Sequence, residues 1–121
     1  MASNKVFLRN NTIIEIHVIG DQTPASIEQM GKETEALLTR QREQGLPCLI
    51  LDDLTRMRVV DPDGRKKVVE LARQLDYDKT AMVGKGGLLR IGANLMLRAV
   101  GKAGKIRYFD DRRKALAWLV A

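Results

Sequence analysis

Two aspartates one residue apart lie in a short loop, Asp61-Pro62-Asp63-Gly64, which is followed by three cations and an apolar helical pattern. Paired carboxylates in a loop can supply a nucleophile and a general acid–base for phosphoryl transfer, with magnesium offsetting the phosphate charge. The same carboxylates in the first turn of a helix are favourable by roughly 0.3–1 kcal/mol each, because the unpaired N–H groups carry partial positive charge. The sequence therefore supports both a catalytic and a capping interpretation.

The catalytic interpretation is a magnesium-dependent phosphatase that uses Asp61 and Asp63, because the loop resembles the first motif of the haloacid dehalogenase family. Three features differ from that motif. Only two apolar residues precede the loop, Arg65 follows the glycine where the motif usually has a hydroxyl, and a helical stripe begins at once. A motif counts only where its structural context agrees. We therefore predict no catalytic residues and keep the phosphatase as a third alternative.

Metal and cofactor signals are weak in this sequence. A calcium-binding EF-hand needs more acidic positions than this loop has, with Glu70 as one matching position. Cys48 is the one cysteine and lies in an apolar run, as a core thiol does. His17, the one histidine, has Glu15 two residues away, but we predict a half-exposed strand histidine. We predict no metal site and no cofactor.

Strand and helix signals place the acidic loop within an α/β architecture. Predicted strands cover 6–8, 12–19, "LPCLILDDL", "TAMVG" and "KIRYFDD", and predicted helices run from Pro24 to near Gly45, from Asp61 to Leu75, from about Leu88 to Val100, and through "RRKALAWLV". Asparagines between the first two strands suit a tight hairpin turn. This order predicts one domain over residues 1–121, with a single mixed sheet of about five strands, an opening antiparallel hairpin and about four flanking helices.

Charge and composition limit the classes of partner that the chain is expected to bind. Lysine and arginine outnumber aspartate and glutamate by 21 to 15, which gives a net charge of +6 and favours an anionic partner. Two tyrosines, two phenylalanines and one tryptophan offer few rings for base stacking, so nucleic acid is an unlikely partner. No apolar stretch approaches the ~20 residues that span a bilayer, and no signal peptide is apparent. We expect a cytoplasmic protein without a membrane span.

The acidic loop and the C-terminal segment together resemble a known family. Asp53, seven further residues and then Asp61-Pro62-Asp63-Gly64 before an apolar helix are similar to the motif of STAS domains. The tail "KIRYFDDRRKALAWL" resembles the ending of the SpoIIAA-like branch, which is related to both STAS and SEC14-type lipid-binding domains. The resemblance implies a STAS-type α/β fold and a non-enzymatic function in protein interaction or regulation.

In STAS regulators the serine before the glycine is the phosphorylation switch, and this chain has Asp63 there, after Pro62. A serine kinase cannot modify either residue. A fixed carboxylate supplies about one negative charge where a phosphate supplies about one and a half to two. The surface is therefore either permanently phospho-like or free of kinase control, and the cations that follow favour the second. The predicted partner-binding residues are Asp61, Asp63, Gly64, Arg65 and Lys66.

The alternative function is a small carrier of a lipid or an anionic ligand. The third predicted helix is apolar over an arc of roughly 200° at about 100° per residue, which is wider than one sheet face needs. Three alternatives are open for that arc: the closing helix covers it, it forms the interface of a homodimer, or it lines an apolar pocket. The glycine-rich turn before this helix can present N–H groups to an anion. The predicted anion- or lipid-binding residues are Lys85, Gly86, Gly87, Arg90 and Arg98.

Overall fold

The computed structural model describes residues 3–102 and 104–121, apart from the side chain of Leu88. Its elements in chain order are β1 (Lys5–Arg9), β2 (Ile13–Gln22), α1 (Pro24–Glu43), β3 (Leu49–Val60), α2 (Pro62–Gln74), β4 (Lys79–Val83), α3 (Gly87–Val100), β5 (Ile106–Phe109) and α4 (Arg112–Val120). The five strands form one sheet in the order β1-β2-β3-β4-β5. The predicted mixed sheet with four helices is confirmed.

The opening hairpin forms because two asparagines accept left-handed backbone conformations. Asn10 and Asn11 have φ angles of 50° and 58°, and the N–H of Thr12 donates to the carbonyl of Arg9 at 3.0 Å. Such a turn matches the twist of the two strands that it joins. β1 consequently pairs antiparallel with β2, with Arg9 opposite Ile13.

The remaining strands are parallel, and their connections decide which sheet face each helix covers. Strands β2 to β5 pair in sequence order, so right-handed crossovers place α1, α2 and α3 on the same face. Ile14, Ile16, Ile50 and Met82 form the apolar core under these helices. No described helix is long and apolar enough to cross a membrane.

The closing helix α4 packs on the opposite face of the sheet. Its Leu116, Trp118 and Leu119 contact the cluster that contains Leu49 and Leu51. The expectation that these α4 residues cover the apolar arc of α3 is therefore wrong. α4 follows the last strand and has no further parallel strand to reach, so it turns back across the free face.

Strand β3 is longer than the apolar run predicts. Its pairing with β4 ends at Asp53, whereas its pairing with β2 continues to Val60, opposite Gln22. The continuation "TRMRVV" carries arginines and gives no buried-strand signal, because it is a two-stranded extension beyond the edge of β4. The extension brings the end of β3 beside the beginning of α1.

Candidate functional site

The junction between β3 and α2 contains the predicted partner-binding loop. Asp61 is the N-cap of α2, and its Oδ1 accepts a hydrogen bond from the N–H of Gly64 at 2.6 Å. Pro62 occupies the first helical position, where its missing N–H costs nothing. The capping interpretation of Asp61 is thus confirmed. Its carboxylate is engaged by the helix, which leaves the phosphatase alternative without support from this geometry.

Gly64 is buried beneath the loop. A Cβ at this position would lie 3.0 Å from Asp61 Oδ1, 3.1 Å from Val60 Cγ1 and 3.2 Å from Ile27 Cδ1. These separations are tighter than ordinary van der Waals contact, so the glycine lets the beginning of α2 pack closely against α1. Gly64 therefore shapes the loop from below instead of presenting a surface to a partner.

The exposed charges of this junction lie on α2. We name them the α2 surface: Asp63, Arg65, Lys66, Glu70 and Arg73, all of which are exposed. Arg65 Nε donates to the carbonyl of Val60 at 3.1 Å, which ties its side chain to the end of β3. A shallow, open depression of about 550 Å³ runs along this face. The helix thus offers charged groups on a fixed backbone.

The glycine-rich turn at the beginning of α3 has a different character. Lys85, Gly86 and Gly87 are exposed, Gly86 has a φ of 92°, and no side chain caps the helix. The first N–H groups of α3 therefore have no side-chain partner at the cap. This matches the predicted turn, although a helix N-terminus alone does not define a binding site.

The predicted anion- or lipid-binding residues do not form one cluster. Arg90 Nη2 donates to Asp110 Oδ2 at 2.8 Å, and the guanidinium lies 5.3 Å from the centre of the Tyr108 ring. Arg98 lies in the last turn of α3, about 16 Å along the helix axis from Gly87 at ~1.5 Å per residue. One ligand headgroup cannot contact both ends of the helix.

The apolar arc of α3 is divided between two environments. Ile91 and Leu95 are 59% and 60% exposed. Met96, Leu97 and Val100 instead line a partly open cavity between the helices and the sheet. Of the three alternatives for this arc, the structure supports the wall of a pocket for its inner part.

That cavity has a volume of about 90 Å³ and lies between the sheet and helices α1 to α3. Its polar members are Thr34, Asp52, Tyr77 and Thr80. Among the described residues, Asp52 Oδ1 and Thr80 Oγ1 are buried and have no hydrogen-bond partner. Burial and then the neighbouring charge of Asp53 raise the pKa of Asp52 to about 7. The sequence shows the Asp52-Asp53 pair but gives no sign that the first carboxylate faces a cavity.

The opposite face of the sheet holds a fully buried carboxylate, Glu15, which is 1% exposed. Glu15 accepts from Arg9 Nε at 2.5 Å and from Arg112 Nη2 at 2.7 Å, and it lies 2.6 Å from His17 Nε2. Burial alone would raise the pKa of Glu15, but the hydrogen bonds from Arg9, Arg112 and His17 outweigh it and lower the pKa to about 2. Glu15 is therefore a fully paired anion.

Asp53 joins the same group, which we name the ion cluster: Arg9, Glu15, His17, Asp53 and Arg112. Asp53 Oδ2 lies 3.6 Å from His17 Nδ1 and 3.8 Å from Arg112 Nη1. The His17 side chain is 20% exposed and its ring stacks on Phe7 at a centroid distance of 5.7 Å. His17 is thus held between two carboxylates. The shared strand face of Glu15 and His17 was readable from the sequence, whereas the arrival of Arg112 was not.

Comparison with known proteins identifies the family and supports the fold. The SpoIIAA-like family model matches residues 13–120, which is most of the chain. The chain belongs to the SpoIIAA-like family. This confirms the resemblance carried by the acidic loop and the C-terminal segment. No curated protein matches the SpoIIAA-like chain in sequence.

Solved structures similar to the SpoIIAA-like chain share its fold at low identity. A protein of SpoIIAA-like fold from Shewanella loihica PV-4 is 20% identical with a TM-score of 0.67, and the match covers 97% of this chain and 92% of that one. An anti-sigma factor antagonist from Mycobacterium paratuberculosis is 14% identical with a TM-score of 0.70, covering 98% and 94%. Unphosphorylated SpoIIAA is 15% identical with a TM-score of 0.63, covering 98% and 97%. At these identities the likeness shows the fold alone.

Proposed function

We propose that this SpoIIAA-like domain is a non-enzymatic interaction module that binds a protein partner through the α2 surface. Two structural neighbours are described as anti-sigma factor antagonists, and SpoIIAA is described in both an unphosphorylated and a phosphorylated form. Those descriptions belong to the neighbours. For this chain they support regulation by protein contact as the class of function.

The observation that carries the proposal is the contrast between the two sides of the β3–α2 junction. On its inner side, Asp61 caps the helix and Gly64 packs against Ile27. On its outer side, Asp63 and Lys66 are exposed. A surface that is already ordered loses less conformational freedom on binding. The junction therefore presents charged side chains on a backbone that is already ordered.

The charges of this surface indicate the chemistry of the partner. Arg65, Lys66 and Arg73 face solvent beside only two exposed acids, Asp63 and Glu70. This excess of cations favours a partner with an acidic contact surface, since complementary charge speeds association and fixes orientation. It also favours the interpretation in which this chain has left kinase control, because a phosphate-like site surrounded by cations is partly neutralised.

Charge reversal tests the surface. We expect the double variant Arg65→Glu/Lys66→Glu to lose an acidic protein partner by about tenfold or more in affinity, as unfavourable juxtaposition of like charges costs several kcal/mol. The matched control is Lys32→Glu/Arg40→Glu on the exposed face of α1. Quantitative affinity capture, followed by titration of each captured protein, compares the three forms. Equal retention of every partner by both double variants would contradict the proposal.

Asp63→Ser separates the two interpretations of the switch position. If Asp63 acts only as a favourable first-turn residue, the partner's dissociation constant stays unchanged and helix stability falls by about 0.3–1 kcal/mol. A large loss of affinity, restored when the new serine is phosphorylated, would instead establish a permanently phospho-like surface. Isothermal titration with the partner found above distinguishes these results.

The carrier of lipids or anions is not favoured by the interior of the domain. The cavity of about 90 Å³ is well below the roughly 300–1,000 Å³ of sites that enclose larger ligands. The carboxyl group that lines it, Asp52, repels an anion once it is ionised. The cavity is suited to a smaller ligand of opposite charge.

A further inference from the structure

Asp52 and Thr80 place two unsatisfied polar atoms in the same cavity. Ile50 pairs with Thr80 and Asp52 pairs with Met82 across neighbouring parallel strands, so the two side chains project from the same face of the sheet. Buried polar groups in native proteins are almost always hydrogen-bonded, because an unmade bond costs the full desolvation of the group. The described part of the chain supplies no partner to either oxygen, so both are available to a donor from outside the chain.

The other walls of the cavity define the remainder of such a ligand. Met30 of α1, Leu71 of α2, Met96 of α3 and Ile106 of β5 supply apolar surface. Tyr77 also lines the cavity, but its hydroxyl already donates to the carbonyl of Ala72 at 2.8 Å. The ligand must combine a donor group with a short apolar body.

Size limits the ligand to a few atoms. A volume of about 90 Å³ is smaller than the ~150 Å³ of an apolar cavity that binds benzene. A three-carbon chain with one terminal donor group is of this order.

We propose that this cavity binds a small alkylammonium ion, whose ammonium group donates to Asp52 Oδ1 and Thr80 Oγ1 while its alkyl chain contacts the apolar walls. An ammonium supplies three donors and offsets the carboxylate charge. This site lies on the inner side of α2 and does not depend on the partner proposed for the outer side.

The charges around Asp52 favour a cation over a neutral or anionic ligand. The residues that α1, α2 and α3 contribute to the cavity wall include no lysine, arginine, aspartate or glutamate. Tyr77 is the other titratable group that lines the cavity, and burial raises its pKa to about 12, so it stays neutral. Asp53, on the other face of β3, adds a second negative charge nearby. A bound cation offsets both.

Amide-resolved NMR titration of the full chain with n-propylammonium tests the proposal. We expect saturable shifts at Ile16, Thr80 and Met82 and an affinity about tenfold higher near pH 8 than near pH 6, because the ionised fraction of a carboxyl with a pKa of about 7 rises by that factor. The uncharged isostere 1-propanol and the anion propionate serve as ligand controls. Absence of saturable shifts with propylammonium, or equal pH-independent binding of propylammonium and 1-propanol, would overturn the proposal.

Two carboxamide variants on the same strand provide the matched protein controls. Asp52→Asn preserves shape and removes the negative charge, so we expect propylammonium affinity to fall at least tenfold near pH 8. Asp53→Asn makes the same change on the other sheet face, and we expect it to lower the affinity by much less than Asp52→Asn does. The amide spectrum of each variant reports its fold independently of the ligand. A folded Asp52→Asn protein with undiminished affinity would refute the assigned site.

Discussion

Glu15 and Asp52 are two inward-facing carboxyl groups on neighbouring strands of the same sheet, and they have opposite electrostatic environments. Glu15 pairs in register with Leu51, the residue directly before Asp52. Glu15 faces α4 and receives hydrogen bonds from Arg9 and Arg112, which help lower its pKa to about 2. Asp52 faces α1 to α3, its Oδ1 has no hydrogen-bond partner within residues 3–102 and 104–121, and its pKa is raised to about 7.

The difference shows that nearby hydrogen-bond donors and cations, more than the extent of burial, decide whether an inward-facing acid is ionised. Desolvation raises the pKa of both groups, but only Glu15 is surrounded by cations that reverse the effect. The ion cluster connects β1, β2, β3 and α4, so its satisfied bonds hold the fold together. On the cavity face, Asp52 Oδ1 and Thr80 Oγ1 instead have no hydrogen-bond partner among the described residues. This is the face on which we place a ligand.

The largest expected effect comes from breaking the ion cluster. Glu15→Gln leaves two arginines without their shared anion, and removing one member of a buried pair costs ~3–5 kcal/mol. We expect about 3 kcal/mol of lost unfolding free energy, at the lower end of that range, because Arg9 and Arg112 are 41% and 35% exposed and can partly return to water. Urea denaturation near pH 7 measures the loss.

Glu35→Gln on the exposed face of α1 is the matched control for this substitution. We expect it to change the unfolding free energy by less than about 0.5 kcal/mol. Equal stability of the two variants would mean that the ion cluster makes no net contribution to the unfolding free energy. The pairing that distinguishes Glu15 from Asp52 would then not stabilise the fold.

Local sequence signals were sufficient for most of the fold. The asparagine pair predicted the hairpin turn, Thr23-Pro24 predicted the beginning of α1, and Asp61 with Pro62 predicted the beginning of α2. Each signal acts within about four residues, and the structure confirms each. The extension of β3 was missed because it depends on pairing with the end of β2, which lies far away in the sequence.

The environments of Glu15 and Asp52 could not be predicted either, because they depend on contacts between residues that are far apart in sequence. Arg112 reaches Glu15 across a sequence separation of 97 residues, and nothing near either residue indicates the contact. Asp52 and Thr80 face the same cavity only because β3 and β4 pair in one particular register. A one-residue change of register would send a strand's side chains to the other face. The predicted loop at Asp61, by contrast, needed only capping rules.

Glu15 and Asp52 should make stability depend on pH in opposite directions. Glu15 has a lowered folded-state pKa, so its contribution is present above about pH 4.5 and is lost as the pH falls towards 2. The folded-state pKa of Asp52 is raised, so the folded state holds a proton that the unfolded state has released. Stability therefore falls as the pH rises from about 4 to about 7.

Asp52→Asn removes the second of these slopes. The full linkage effect of a pKa rise of about three units is ~4 kcal/mol, and desolvation of the new amide cancels part of it. Because the amide cost does not change with pH, we expect the variant to be more stable than the wild type by about 2 kcal/mol near pH 8 and less stable by about 2 kcal/mol near pH 4. Urea titrations at both pH values measure the crossover. A constant difference at the two pH values would show that Asp52 is not the titrating group.

The smallest expected effect concerns two threonines that line the same cavity. Thr34 Oγ1 donates to the carbonyl of Met30 at 2.8 Å, whereas Thr80 Oγ1 has no partner among the described residues. Replacing an unsatisfied buried hydroxyl by a methyl group removes a desolvation cost, whereas deleting a bonded hydroxyl loses a hydrogen bond. We expect Thr80→Val to gain and Thr34→Val to lose about 1 kcal/mol each, measured near pH 7 by urea denaturation. Equal losses in both variants would mean that Thr80 already has a partner in solution, and the cavity would then lack one of the two acceptors on which the alkylammonium site depends.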